Sequence, residues 1–503
     1  MTKKILFFTD GWFMNFGIAK YFHENYDSEL YAIFDIDDKA KNFFEKQQMV
    51  NYEKSWFLMD SIHEKYSKPD LEYLKYFENK YKINLWEIAF TDREFYLYNR
   101  LHKFSHDEVL AIIEQECRFF EKVLDESKPE FLIIMLTVTH YHELLRRMCI
   151  AKGIEVLMLS SARFRNSMMI SREFGQLDRE SDKKINESEK TDDPQKFLKK
   201  YDASKQQHEF VKSQFDSHFF QRYSSIFKFF FSGRTETYKN RYLNFGRTKP
   251  RVLIDKIFHL FRKKFRNIFI NHNFEKNLDQ SLPFVYFPLQ MEPERVLLIA
   301  SKYYTNQIAV ITNIAKSIPV GYTLFVKEHP TQKIWGWRKT DFYKQIMELP
   351  NVKLIHPSIS GDEILKQSSL VITISGTVAQ EASFYNKPSI TFVDLTYDEL
   401  PSLIKIKTFD ELPNAIRNSL NKKIDNESAK KYVDVVKKNA FDFNLVGIAA
   451  DFSYRFGFKG PIMDANLPEH KVIQFLKDYE SDFKHLSLQH IKKIEEHIKS
   501  KNI

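Results

Sequence analysis

FVYFPL (284–289), TLFVKEHP (323–330), NVKLIHP (351–357), LVITIS (370–375) and SITFV (389–393) succeed one another along the chain. Each is a short apolar run closed by a proline, a serine or a charged residue, as expected of strands buried on both faces. Between them lie NQIAVITNIAKSIP (306–319), WRKTDFYKQIMELP (337–350), GDEILKQS (361–368) and SGTVAQEASFYN (375–386), whose apolar residues recur at helical spacing. Strand and helix in strict alternation predict a doubly wound parallel sheet, so 283–420 reads as one Rossmann-like domain.

The same alternation, less regular, opens the chain. KILFFT (4–9) predicts a strand, DGW a loop, and a helix runs through Tyr21 and His23. ELYAIFDI (29–36), FLIIMLTV (131–138) and IEVLMLSS (154–161) predict further strands, with HYHELLRRMCIAKG (140–153) as a helix and a long helical stretch up to about Asp125. Residues 1–175 therefore read as a second Rossmann-like domain with a helical insertion. From 176 to 282 the alternation stops and the chain reads as a basic helical connector, and 421–503 as a helical C-terminal region. The fold class is α/β, with two Rossmann-like domains facing a cleft.

With 503 residues, 43% hydrophobic and 28% charged, the chain has ample core for two domains and is not disordered in bulk. Cys117 and Cys149 are its two cysteines, which excludes a disulfide framework and fits a reducing compartment. Ile5–Phe8 is too short for a signal-peptide core and no stretch has the ~20 apolar residues of a membrane span, so the expected location is cytoplasmic.

The net charge of +9 is local: Arg222–Arg266 holds 13 Lys/Arg against Glu236 and Asp255. Within it, RVLIDKIFHLFRKKFRNIFI (251–270) spaces Leu253, Ile257, Leu260, Phe261, Phe265 and Ile268 near a helical period, with Lys and Arg between them. Three readings fit: a basic helix packed by its apolar stripe on a neighbouring domain, peripheral docking on an anionic membrane at the inner face of the cell, or contact with a polyanionic acceptor. No zinc spacing, RNP-like strand or helix-turn-helix accompanies the charge, so no nucleic acid partner is expected.

Ligands of open α/β sheets bind beyond the carboxyl ends of the strands, which selects a few residues. Lys327-Glu328-His329-Pro330 closes one strand, placing a point charge and an imidazole donor there. Ser375-Gly376-Thr377 joins a strand to a helix, where hydroxyls and free N–H groups suit an anion, or where Thr377 simply caps the helix. Glu381 follows in that helix, as an acceptor for ribose hydroxyls or as a surface carboxylate. Asp10 ends the first strand and is a candidate base or a loop cap. Arg163 and Arg165 follow another strand and suit an anionic group, or are surface arginines. Asp35-Ile36-Asp37-Asp38 has the DXD form that binds divalent metals elsewhere. His140 and His142, at i and i+2, share no helix face and imply no metal site.

YFPLQMEPE (286–294), Asn306-Gln307, VKEHP (326–330) and SGTVAQEA (375–382) with NKPSI (386–390) together resemble the capsule polysaccharide biosynthesis family of GT-B glycosyltransferases. The resemblance covers about 283–400, with weaker echoes in INLWEIAFTDREF (83–95) and LSSARFRNS (159–167). It implies a GT-B-like fold and a transferase moving a sugar from a nucleotide-sugar donor to a surface polysaccharide or glycolipid. A CMP-sugar is favoured, because the family includes Kdo transferases with a His-Pro motif. By the resemblance His329, Ser375 and Thr377 hold the donor phosphate, with Lys327, Glu328, Pro330, Gly376 and Glu381 around them; no cofactor and no metal are implied. Relatives also carry an acidic-acidic-Gly motif; this chain has Thr9-Asp10-Gly11, one acid short. A CDP-polyol phosphate transferase, a GT-B-like UDP-sugar epimerase and a non-catalytic polysaccharide assembly scaffold remain as alternatives.

Overall fold

The computed structural model describes residues 2–11, 13–62, 68–96, 99–162, 166–173, 241–278, 281–292, 294–333, 336–395, 397–398, 400–424, 426–457 and 465–501. Its first sheet contains β1 (Lys3–Thr9), β2 (Ser28–Phe34), β3 (Lys54–Phe57), β4 (Phe131–Met135), β5 (Glu155–Ser161) and β6 (Ser167–Ser171). The second contains β7 (Phe284–Pro288), β8 (Thr323–Lys327), β9 (Val352–Ile355), β10 (Leu370–Ile372), β11 (Ser389–Thr391) and β12 (Leu403–Lys405); β13 (Phe441–Asp442) returns to the first.

The second sheet is parallel throughout, in the order β12-β11-β10-β7-β8-β9. Counted within the domain this is the 3-2-1-4-5-6 order of doubly wound dinucleotide folds, and the order reverses between β7 and β10. The first sheet runs β13-β6-β5-β4-β1-β2-β3, parallel from β5 to β3 and antiparallel at β6 and β13, with its reversal between β1 and β4. The fold is thus α/β with two Rossmann-like domains, as the alternation predicts.

The apolar strands appear where the sequence puts them. The stretch up to Asp125 differs: beside helices at Leu71–Tyr81, Leu85–Phe90 and His106–Ser127 it contains β3. Trp56 is the buried residue of that short edge strand, too little alternation to signal itself. The 106–127 helix opens on a capping box, the Glu108 N–H donating to Ser105 Oγ (3.2 Å) and the Ser105 N–H to Glu108 Oε2 (2.7 Å).

Helices at Leu445–Phe456, Glu469–Asp478 and Glu480–Lys501 cross back to the first domain and pack against the Met14–Asn25 helix. Phe13 stacks on Phe452, 4.7 Å between ring centres, and touches Phe475 edge-on at 6.0 Å. Closest of all is Gly17, where a Cβ would meet the Phe483 ring at 2.3 Å. The ring is buried. Gly17→Val is therefore expected to destabilise the protein by ~1–3 kcal/mol through overpacking. A urea midpoint unchanged from wild type would show that the ring has room to give.

Candidate active site at two facing strand ends

In the second domain the site begins with Pro288, the last residue of β7. Beyond it the Gln290 N–H donates to Gln307 Oε1 (2.7 Å), and Gln290 Nε2 crosses the reversal point to donate to Thr373 Oγ1 (2.9 Å). The Gly376 N–H donates to the same hydroxyl at 3.1 Å. A Cβ on Gly376 would lie 2.8 Å from that oxygen, so only glycine fits the approach. The β7 and β10 loops are thereby fastened together where a ligand would sit.

β8 brings in the next group. The Thr331 N–H donates to His329 Nδ1 (3.2 Å), which makes Nδ1 an acceptor and puts the proton of the neutral ring on Nε2. Pro330 has no N–H to continue the ladder and opens a short turn. The His329 imidazole is half-buried at the end of β8, the strand next to β7.

The neighbouring residues take other parts. Glu328 turns into the domain: Oε2 accepts from Tyr343 (2.6 Å) and from Arg338 Nε (2.9 Å), and its Oε1 accepts the His329 N–H at 2.8 Å. It fixes the loop that carries His329. Lys327 is buried and its pKa is lowered by desolvation; it lies close enough to His356 to help depress that ring in turn. Ser375 is buried, while Gly376 and Thr377 are half-buried. Thr377 already has helical angles and makes no cap; its hydroxyl donates to Glu381 Oε1 at 2.9 Å. Burial raises the Glu381 carboxyl against that hydrogen bond, and its charge acts on Tyr286 beneath.

In the first domain Asp10 directly follows β1, buried, and its carbonyl accepts from the Phe13 N–H (3.2 Å). Phe13 itself sits at φ 62°, a left-handed geometry that costs a bulky residue energy and here sharpens the turn after Asp10. Asp35 is occupied: Oδ2 accepts from Tyr141 (2.7 Å) and Oδ1 from Arg241 (2.9 Å), while Asp37 caps the Asp38–Lys46 helix. Among the described residues no group of three His, Cys, Asp or Glu side chains is arranged around a metal position. Arg163 and Arg165 lie outside the described residues.

Two histidines that the sequence only sets aside as metal ligands have distinct places. His140 is fully buried between Asp92 and Glu116, each 2.7 Å away, and Tyr242 donates to the same Asp92 oxygen at 2.6 Å. Burial opposes its charge, but the two carboxylates outweigh that and raise it to about 10. His142 lies at the reversal point beyond β4, edge-on to Phe8, and burial lowers it to about 4. The Val138 N–H approaches its Nδ1 at 3.4 Å. What could have marked them is the apolar β4 immediately ahead, which puts both on the helix that opens at a strand end.

The domains meet across these ends. Arg295, beyond β7, donates to Thr137 Oγ1 beyond β4 (2.8 Å), and Lys302 donates to Glu87 at 2.8 Å. Ala162, beyond β5, packs in one apolar cluster with Ala379 and Tyr397 of the second domain. The two reversal points therefore face one another.

Among solved structures, the β-Kdo 2,7-transferase KpsC of Thermosulfurimonas dismutans matches at 11% identity, over 63% of this chain and 80% of that one, with a TM-score of 0.31. The UDP-GlcNAc 2-epimerase of Methanocaldococcus jannaschii matches at 16% identity, over 87% and 100%, with a TM-score of 0.23. The N-terminal domain of Candida albicans trehalose-6-phosphate phosphatase matches at 11%, over 90% and 96%, with a TM-score of 0.31. No curated protein matches the chain. Likenesses at this level do not argue for any one activity. Residues 185–400 match the family described as capsule polysaccharide biosynthesis protein, the family that YFPLQMEPE, VKEHP and SGTVAQEA resemble.

Proposed function

We propose that the protein is a GT-B glycosyltransferase that moves a sugar from a CMP-sugar donor to a surface polysaccharide or glycolipid acceptor. The observation that supports this most is the pair of facing strand-end reversals, with His329 one strand from the first, at the end of β8, and Asp10 at the other. The donor's phosphate lies on the second domain, where His329 Nε2 donates to it and the Gly376 loop receives it. The acceptor lies on the first domain, where Asp10 takes the proton from the attacking hydroxyl. As the bond from the sugar to the nucleotide phosphate breaks and the bond to the acceptor oxygen forms, charge develops on the phosphate. A preoriented donor such as His329 is then strengthened where it counts.

Calorimetry against CMP, CDP, UDP and GDP tests the donor half. CMP is expected to bind tightest, and His329→Ala to weaken it by roughly 10–150-fold, the worth of a hydrogen bond to a charged group. A preference for UDP or GDP rejects the CMP-sugar donor, and no nucleotide binding rejects the transferase.

A further inference from the structure

The helix Lys249–Asn273 is 25 residues long, about 37 Å at 1.5 Å per residue. It is held along one side. Arg266 Nη1 donates to the carbonyls of Gly336 (3.1 Å) and Trp337 (2.9 Å), and Ile270 enters the core of the second domain. His259 presses on Gly336 so closely that a Cβ there would meet its ring at 2.4 Å. Asp255 lies 3.8 Å from Arg100 of the first domain, so the helix touches both halves of the molecule.

Residues 255, 259, 266 and 270 thus face the protein. Ile254, Ile257, Phe258, Phe261, Phe265 and Ile268 lie most of a half-turn round, and they are 46–69% exposed. The apolar stripe is not what packs this helix onto the domains; it points outward. Among the described residues nothing covers it. Lys and Arg fill seven positions of the helix against the one acid, Asp255. No helix among the described residues is long and apolar enough to cross a membrane.

We infer that this helix docks the protein on an anionic lipid bilayer, lying in its surface with the Phe and Ile side chains between the head groups. Charge complementarity selects the partner: the exposed Arg251, Lys256 and Lys264 meet negative head groups while the stripe leaves water. A protein partner would have to be both acidic and apolar along ~37 Å; an anionic bilayer is both everywhere. The inference stands apart from the nucleotide reading.

The test is co-sedimentation of the full chain with vesicles of phosphatidylcholine alone or with 30% phosphatidylglycerol. Binding to the anionic vesicles is expected to be at least tenfold tighter. Phe261→Glu with Phe265→Glu, both exposed sites, is expected to lower it at least tenfold with CMP affinity and unfolding midpoint unchanged. Lys256→Glu with Lys264→Glu should do the same through charge alone. A dye on Phe265→Cys reports the environment directly, because Cys117 and Cys149 are buried and unreactive; its emission should shift to the blue when anionic vesicles are added. Absent binding by a folded wild-type chain, or binding indifferent to both double variants, overturns the inference. So does a dye already shielded without vesicles, which would assign the stripe to residues 174–240, and so does self-association that the double variants abolish, which would assign it to a second copy.

Discussion

Asp10→Asn is expected to lower the transfer rate by roughly 10²–10⁴-fold, the usual contribution of a positioned general base, with CMP affinity unchanged. The amide keeps the size and the loop of the carboxylate but cannot take a proton. Asp10 sits at the end of β1, buried, after which the chain turns sharply through Phe13 at φ 62°. Nucleotide binding belongs to the other domain, so the two assays separate the halves of the proposed site. Single-turnover rates measured with a labelled donor would read the effect. A variant that transfers at the wild-type rate removes Asp10 from the chemistry, and one that also loses CMP has lost the fold of the cleft.

His140→Ala is expected to cost ~3–5 kcal/mol of stability, because it strands the buried carboxylates of Asp92 and Glu116 without their shared cation. The His140 ring is raised to about 10, above the 6.5 of an ordinary imidazole. A pKa raised on folding stabilises fully below the unfolded value. Wild-type stability carried by His140 is therefore complete below pH 6.5 and falls as the pH climbs towards 10. In His140→Ala that slope disappears. Denaturant midpoints at pH 6, 8 and 9.5 decide: a wild-type protein with no decline across this range has no charged imidazole in the cluster.

Much of this architecture was legible in the chain because β7 to β11 are apolar runs stopped by Pro, Ser or a charged residue. β3, β6, β12 and β13 were not, since strands of two to five residues at or next to sheet edges carry little alternation. The strand-end motifs could be located from order alone, but not which way their side chains turn. Glu328 looks like a ligand-binding neighbour of His329 until Arg338 and Tyr343 are seen to hold it. Periodicity found the stripe on 249–273 but gave no sign of which face meets the domains; His259 and Arg266 decide that, through contacts some 70 residues away in sequence.

The return of the last helices to the first domain sets an order on synthesis. β7 to β12 and their helices, with the Asn426–Asn439 helix that packs on Ala379 and Phe384, are complete once about residue 439 has left the ribosome, and that half can fold at once. One face of the first half, although made earlier, must wait. Phe13 packs early against Phe43 and Phe44 but lacks the rest of its cover until Phe452 and Phe475 emerge, so part of an aromatic face made first is buried last. Chaperone contact during translation should therefore fall on the opening residues of the chain, and a stalled chain that has emerged from the ribosome as far as residue 439 but not to 445 should hold a folded second domain beside an unfinished first.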